Sequence, residues 1–263
     1  MHPVILQVGP VTIYSYGLMM ATAFLTAAYL TGLELTRKGF NGELASTMVL
    51  WAAGGGLVGA RVFAILEDWR GFVGDPVHTL FSGSGFVFYG GLIGGVVAVS
   101  WSIKSNNLPW LETADCVAPG LVLAHGIGRI GCQLAGDGDW GTQTSLPWGM
   151  AYPHAIVGWP YAPGVRVHPT PLYEFGAYVL IFGFLWAIRK RPHPPGALFW
   201  WYLVLASGAR FAIEFVRINP RVFVGLTTAQ LISIVLATIG AWRLLATREA
   251  GAAGRVPATG SKP

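Results

Sequence analysis

The sequence predicts an all-α polytopic integral membrane protein with seven transmembrane helices, its N-terminus outside and its C-terminus in the cytoplasm. Three observations lead there. Hydrophobic residues make up 53% of the 263 and charged residues only 11%, too little polar surface for a soluble domain of ordinary composition. Apolar stretches of about 20 residues, the length a helix needs to cross a hydrocarbon core, recur seven times. The connecting segments alternate between rich and poor in lysine and arginine, which sets the orientation.

The seven stretches lie near 11–33, 44–66, 85–103, 114–134, 169–188, 196–216 and 226–245. Arg37 and Lys38 follow the first, Lys104 the third, and Arg189, Lys190 and Arg191 the fifth. Arg243, Arg248, Arg255 and Lys262 end or follow the seventh. The opposite side has only Arg70, Arg166 and Arg221, so the richer side is cytoplasmic. Residues 1–247 form one seven-helix domain, and 248–263, rich in Ala, Gly and Pro, read as a disordered cytoplasmic tail. Segment 135–168 interleaves Pro147, Pro153, Pro160 and Pro163 with Trp140, Trp148, Tyr152, Trp159 and Tyr161. A loop of that length is uncommon unless functional or disordered, and its aromatic rings suit the headgroup layer, so it reads as an external cap. Segment 67–84 is a second external stretch. Met1 to Pro10 lacks the basic n-region of a cleavable signal peptide.

The formal charge of +5 does not point to nucleic acid, because the basic residues are scattered rather than gathered in a stripe. The lipid bilayer is the expected partner. Cys116 and Cys132 fall about 24 Å apart along one helix, too far to pair. No metal site and no cofactor is expected. The run Gly126-Ile127-Gly128-Arg129-Ile130-Gly131 satisfies the dinucleotide pattern GxGxxG, but that pattern carries meaning only between a strand and a helix in a βαβ unit. Inside an apolar stretch it is rejected, and its glycines thin the backbone beside Arg129 or serve helix packing. Gly55 with Gly59, and Gly90 with Gly94, read as close helix packing.

Chemistry is expected where charge enters the apolar stretches. An arginine at membrane depth costs roughly 2.5 to 3.5 kcal/mol on insertion scales, so it usually marks a site. Arg129 lies in the fourth stretch and Arg210 in the sixth. Arg210, Glu214 and Arg217 stand at i, i+4 and i+7, on one helical face. Glu214 reads either as a structural ion-pair partner or as part of a site. One carboxylate cannot neutralise two guanidinium groups, and a phosphate, whose oxygens match the guanidinium fork, is the natural counterion.

The run Gly128-Arg129-Ile130-Gly131-Cys132, followed by Trp140-Gly141, resembles the signature of the prolipoprotein diacylglyceryl transferase family. Tyr16-Gly17-Leu18, Tyr89-Gly90-Gly91-Leu92, Asp115-Cys116-Val117-Ala118-Pro119, His168-Pro169-Thr170-Pro171-Leu172-Tyr173-Glu174 and the block from Arg210-Phe211 to Arg217 agree in order and spacing. The resemblance implies a bacterial inner-membrane enzyme. Such an enzyme transfers a diacylglyceryl group from phosphatidylglycerol to the lipobox cysteine thiol of an exported prolipoprotein and releases glycerol phosphate. Carried over residue by residue, it implies Arg129, Arg210 and Tyr89 as the catalytic group. Tyr16, Cys132 and Gly141 lie by the headgroup, Asp115, His168 and Glu174 are polar supports, and Glu214 and Arg217 stand behind the arginine pair.

The chain departs from the family at three places. Tyr89 stands where the family usually has the histidine favoured for handling the thiol proton, and tyrosine is the weaker base near neutral pH. Ala206 stands where a tyrosine is usual, and 133–140 is one residue longer, with Asp137 and Asp139 in place of an asparagine-glycine run. His125, His168, Asp137 and Asp139 are alternative proton acceptors, and His168 reads equally as a helix-start histidine bonded to backbone. A divergent enzyme with another acceptor, or a phospholipid-binding protein without catalysis, would retain the same arginines.

Overall fold

The computed structural model describes residues 1–81 and 87–253. The chain divides into two compact units, Met1–Ala27 with Val117–Pro263, and Ala28–Cys116. Helices α1 (Ser15–Arg37) and α6 (Trp110–Ala135) each contribute to both.

In the unit Ala28–Cys116, α2 (Leu44–Glu67) packs along α5 (Phe88–Ser105), with the short helices α3 (Trp69–Gly74) and α4 (Pro76–Phe81) between them in sequence. Glycine permits the α2–α5 approach. A Cβ on Gly55 would come within 2.7 Å of the Gly94 carbonyl oxygen, and one on Gly59 within 2.9 Å of the Gly94 Cα. Backbone therefore meets backbone, the packing expected of small-residue pairs in membrane helices. Asp68 starts α3 by accepting from the Gly71 N–H at 3.0 Å, a side-chain cap. Leu35, Ala45, Met48, Ile103 and Cys116 form this unit's buried core.

The other unit opens with a hairpin, β1 (Val4–Val8) and β2 (Val11–Tyr14), paired antiparallel. The first span, expected from residue 11, therefore begins as a helix only at Ser15. The segment Val11-Thr12-Ile13-Tyr14 is β-branched and aromatic, a composition that suits a strand. Ser15 N–H donates to Pro3 O at 2.9 Å and His2 N–H to Leu134 O at 3.2 Å, pinning the hairpin to the end of α6. All of Gly126 to Gly131 lies inside α6, so the GxGxxG pattern has no strand before it. Helix α7 (Thr170–Ile188) and α8 (Ala197–Ile213) surround a core of Val122, Tyr178, Ile181 and Leu185. A 3-10 turn (Glu214–Val216) ends α8, strands β3 (Arg221–Phe223) and β4 (Leu226–Thr227) follow, and α9 (Thr228–Ala253) packs back on α8. Thr227 and Gln230 form a reciprocal capping box at the α9 start, with N···O distances of 3.1 and 3.3 Å. The seventh span, expected from 226, is displaced by that strand and cap. Of the expected tail, 254–263 lie outside the described residues.

Five helices among the described residues are long and apolar enough to cross a membrane: α1, α2, α7, α8 continued to Val216, and α9 to Ala246. Large apolar side chains such as Leu25, Leu50 and Leu180 are 72%, 73% and 76% exposed, a surface that a bilayer covers and water would not tolerate. The chain is an all-α integral membrane protein.

Candidate active site

Three arginines and three carboxylates, all from the unit that contains α7 and α8, interlock. Glu174, in the first turns of α7, is fully buried. Its Oε2 meets Arg129 Nε, and its Oε1 lies 3.0 Å from Arg210 Nη1 and 3.4 Å from Arg217 Nη1. Asp139, just past α6, bridges the other way, one oxygen to Arg129 Nη1 and one to Arg217 Nη2. Glu214 Oε2 lies 2.5 Å from Arg210 Nη1 and 3.5 Å from Arg217 Nε. The two arginines singled out from the sequence thus converge on one carboxylate.

Each element brings its charge for a local reason. Prolines 169 and 171 start α7, where the missing N–H groups cost nothing, and this sets Glu174 one turn in. Helix α8 tightens into the 3-10 turn at Glu214, after which Arg217 is extended (φ −86°, ψ 159°). Its side chain then reaches Asp139 as well as Glu214. Glu214 is held from behind by Thr227 Oγ1 at 2.8 Å and Asn219 Nδ2 at 2.7 Å. Its structural role and its place in the charge cluster are therefore both real. Gly141 pairs with Arg217 across an isolated bridge, and its N–H donates to His168 O at 2.8 Å. A Cβ there would stand 2.9 Å from both His168 Cβ and Thr170 Cγ2. Glycine at 141 is what lets the loop, α7 and the Arg217 strand meet.

The charge argument from the sequence needs one correction. Three cations face three carboxylates, so the cluster is balanced without a phosphate. Glu174 and Asp139 supply the anions that the α8 face alone lacks. Arg129 uses Nε and Nη1, and Arg210 uses Nη1, for these contacts, leaving Nη2 of each without a hydrogen bond among the described residues. The carboxylates fix the guanidinium planes. Burial pushes the Asp139 carboxyl up, Arg217 and Arg129 push it further down, and the balance lies below the usual carboxylate range.

Around this cluster, Arg129 Nη1 lies 3.9 Å from Cys132 Sγ, and Gly131 leaves room for Tyr16, whose Cδ2 would be 3.3 Å from a Cβ at that position. Cys132 thus lies beside Arg129, and Tyr16 packs on the same helix at Gly131. Cys132, Asp137 and Asp139 bring ligand atoms within 4.8 Å of one another, yet Asp139 gives both oxygens to guanidinium groups, so the cluster carries no metal assignment. His125 stacks on Tyr178, ring centroids 4.5 Å apart, one turn before Arg129. His168 is half-buried with Nδ1 3.1 Å from Tyr173 Oη, which also accepts from Trp148 Nε1 at 2.8 Å. Indole only donates, so Tyr173 Oη accepts from Trp148 and joins it to His168. The cap is not all headgroup-facing as expected: Trp140, Tyr152 and Val167 are buried as a small core of their own, whereas Trp148 is exposed. Tyr89 and Asp115 belong to the unit Ala28–Cys116, where Asp115 is buried 3.7 Å from Lys38 Nζ. Asp139 was legible only as one of four proton acceptors, and Thr227 and Asn219 gave no signal at all.

The prolipoprotein diacylglyceryl transferase family model matches residues 3–246. A phosphatidylglycerol–prolipoprotein diacylglyceryl transferase of Clostridium tetani is 34% identical over 91% of this chain and 95% of its own length. A second protein of that name, from Clostridium perfringens, is 34% identical over 90% of this chain and 91% of its own. One from Pseudomonas putida is 33% identical over 88% of each. A match of that extent, over a chain whose Arg129 and Arg210 meet at one carboxylate, settles the relationship: the chain belongs to the prolipoprotein diacylglyceryl transferase family.

Proposed function

We propose that this chain transfers a diacylglyceryl group from phosphatidylglycerol to the lipobox cysteine thiol of an exported prolipoprotein, releasing glycerol phosphate. The convergence of Arg129 and Arg210 on Glu174 carries the reading. The thiolate sulfur forms a bond to the glyceryl carbon while the bond from that carbon to the phosphate oxygen breaks. Negative charge grows on the departing phosphate. Two guanidinium groups held at fixed angles by carboxylates stabilise it, and they do so strongly where water is scarce.

In this reading Arg129 and Arg210 clamp the phosphate, and Tyr16, Cys132 and Tyr89 orient the headgroup. Arg217, Glu214 and Glu174 hold the clamp, while Gly141 and His168 shape its surroundings and Asp115, paired with Lys38, supports its own unit. A cationic site lowers the pKa of an incoming thiol without a strong base. The domain crosses the bacterial inner membrane seven times, α5 and α6 joining the five apolar helices, with the N-terminus and the loop 135–168 outside. Purified protein in vesicles, given phosphatidylglycerol and a lipobox peptide, is expected to yield a thioether-linked product and glycerol phosphate in equal amounts. Bound phospholipid with neither product would replace this reading with a lipid-binding protein that has lost catalysis.

A further inference from the structure

At the far end of α7 from Glu174, the chain turns through Arg189-Lys190-Arg191-Pro192-His193-Pro194-Pro195-Gly196 into α8. A cavity of about 300 Å³ opens there, within the lower range of small-molecule sites, about 300–1,000 Å³. Phe184, Ile188, Leu198 and Trp201 form its apolar wall, and Arg191 and His193 its rim. We infer that this cavity binds an anionic glycerophospholipid, acyl chain against the wall and phosphate at the rim, as a lipid site separate from the arginine–carboxylate cluster.

Charge, depth and rigidity each support that occupant. Arg189, Lys190 and Arg191 crowd the turn, and no Asp or Glu occurs anywhere from Phe175 through Ile213, so neither helix supplies an anion at this end. Arg189 is turned onto Trp186, its guanidinium carbon 3.4 Å from the ring centroid, whereas Arg191 stays exposed at the rim. The turn joins two apolar helices long enough to span a membrane, which sets the rim at headgroup level and the wall within reach of acyl chains. Basic pockets between membrane helices bind anionic headgroups on these grounds. The turn is stiff as well. Prolines 192, 194 and 195 fix φ, Gly196 takes φ +89°, and His193 Nδ1 lies 3.1 Å from Pro194 O. Binding there orders little that is not already ordered.

The test uses the full chain in phosphatidylcholine vesicles doped with either phosphatidylglycerol or phosphatidylcholine carrying a photoreactive acyl chain, with adducts mapped by peptide sequencing. Phosphatidylglycerol is expected to label Phe184, Ile188, Leu198 or Trp201 about fivefold more than phosphatidylcholine, the scale for one basic residue near a lipid surface. Arg191→Gln should remove most of that preference and Arg191→Lys should keep it, with labelling of lipid-facing Leu50 unchanged in both. Equal labelling by the two lipids, or a preference that survives Arg191→Gln, overturns the assignment.

Discussion

Arg210 Nη1 lies 3.0 Å from an oxygen of Glu174, a side chain with no exposed surface. Glu174 therefore has no water to fall back on, and it is the one carboxylate among the described residues that pairs with Arg129, Arg210 and Arg217 alike. Glu174→Gln keeps the shape and removes the charge. Breaking a buried ion pair costs about 3–5 kcal/mol because the abandoned partner stays buried. The variant is expected to melt well below the parent in detergent. An unchanged Tm would mean that the cluster does not hold the fold.

Arg129→Lys and Arg210→Lys keep a positive charge and lose the planar fork. With the variant still inserted at the parent level, turnover is expected to fall by about 10²-fold or more in each, the scale for removing one positioned donor from a reacting oxyanion. Near-parent rates in both would rule out a bidentate clamp.

Asp139 sits below the usual carboxylate range because Arg217 and Arg129 outweigh its burial. A group whose folded pKa is depressed stabilises the fold above its unfolded pKa and loses that contribution as pH falls through the folded value. Melting curves of the parent and Asp139→Asn are therefore expected to differ by a constant amount from neutral pH down to about 5, and to converge as pH drops below about 4. Divergence in acid would contradict the assignment.

Tyr89, proposed to orient the headgroup through its hydroxyl, gives a different expectation from that of a proton acceptor. Tyr89→Phe should lower turnover and leave the shape of the pH–rate profile as it was. Loss of the basic-side dependence together with nearly all turnover would make Tyr89 the base instead.

Orientation is open to a direct test. A reporter active only in the cytoplasm should work when fused after Lys262 and fail when fused within 135–168. The reverse pattern would invert the proposed topology.

What could be read from the sequence follows the size of the energies involved. Apolar helices and arginines set in apolar stretches stand out because water and hydrocarbon penalise the alternatives by several kcal/mol, so α2, α7 and the pair Arg129 and Arg210 were legible at once. The hairpin at Val4–Tyr14 was not, since its β-branched and aromatic residues run straight into the apolar stretch of α1 and only the pairing sets them apart. The anions were named, but their pairing with the arginines was missed for another reason. Glu174 is 45 positions from Arg129 and 36 from Arg210, a separation with no periodicity to betray it, and Asp139 reaches Arg217 only because the chain unwinds after Glu214. Gly141 was noticed as part of a motif, while its reason, the 2.9 Å left for a Cβ, needed three segments in place.

The distance along the chain between Arg129 and Glu174 also sets an order of events during biogenesis. When α6 emerges from the ribosome, its guanidinium has no carboxylate from α7 to meet, and leaving it alone in hydrocarbon is unfavourable by roughly 2.5 to 3.5 kcal/mol. Asp139 lies nearer, but its second oxygen waits for Arg217, later still. On the proposed seven-span topology, α6 is expected to settle only once α7 has brought Glu174 and the segment through α8 and the turn after it has brought Arg210 and Arg217. The cluster closes last at Arg217, whose partners Glu174 and Asp139 also hold Arg129, so the last charge to be synthesised completes the setting of the first.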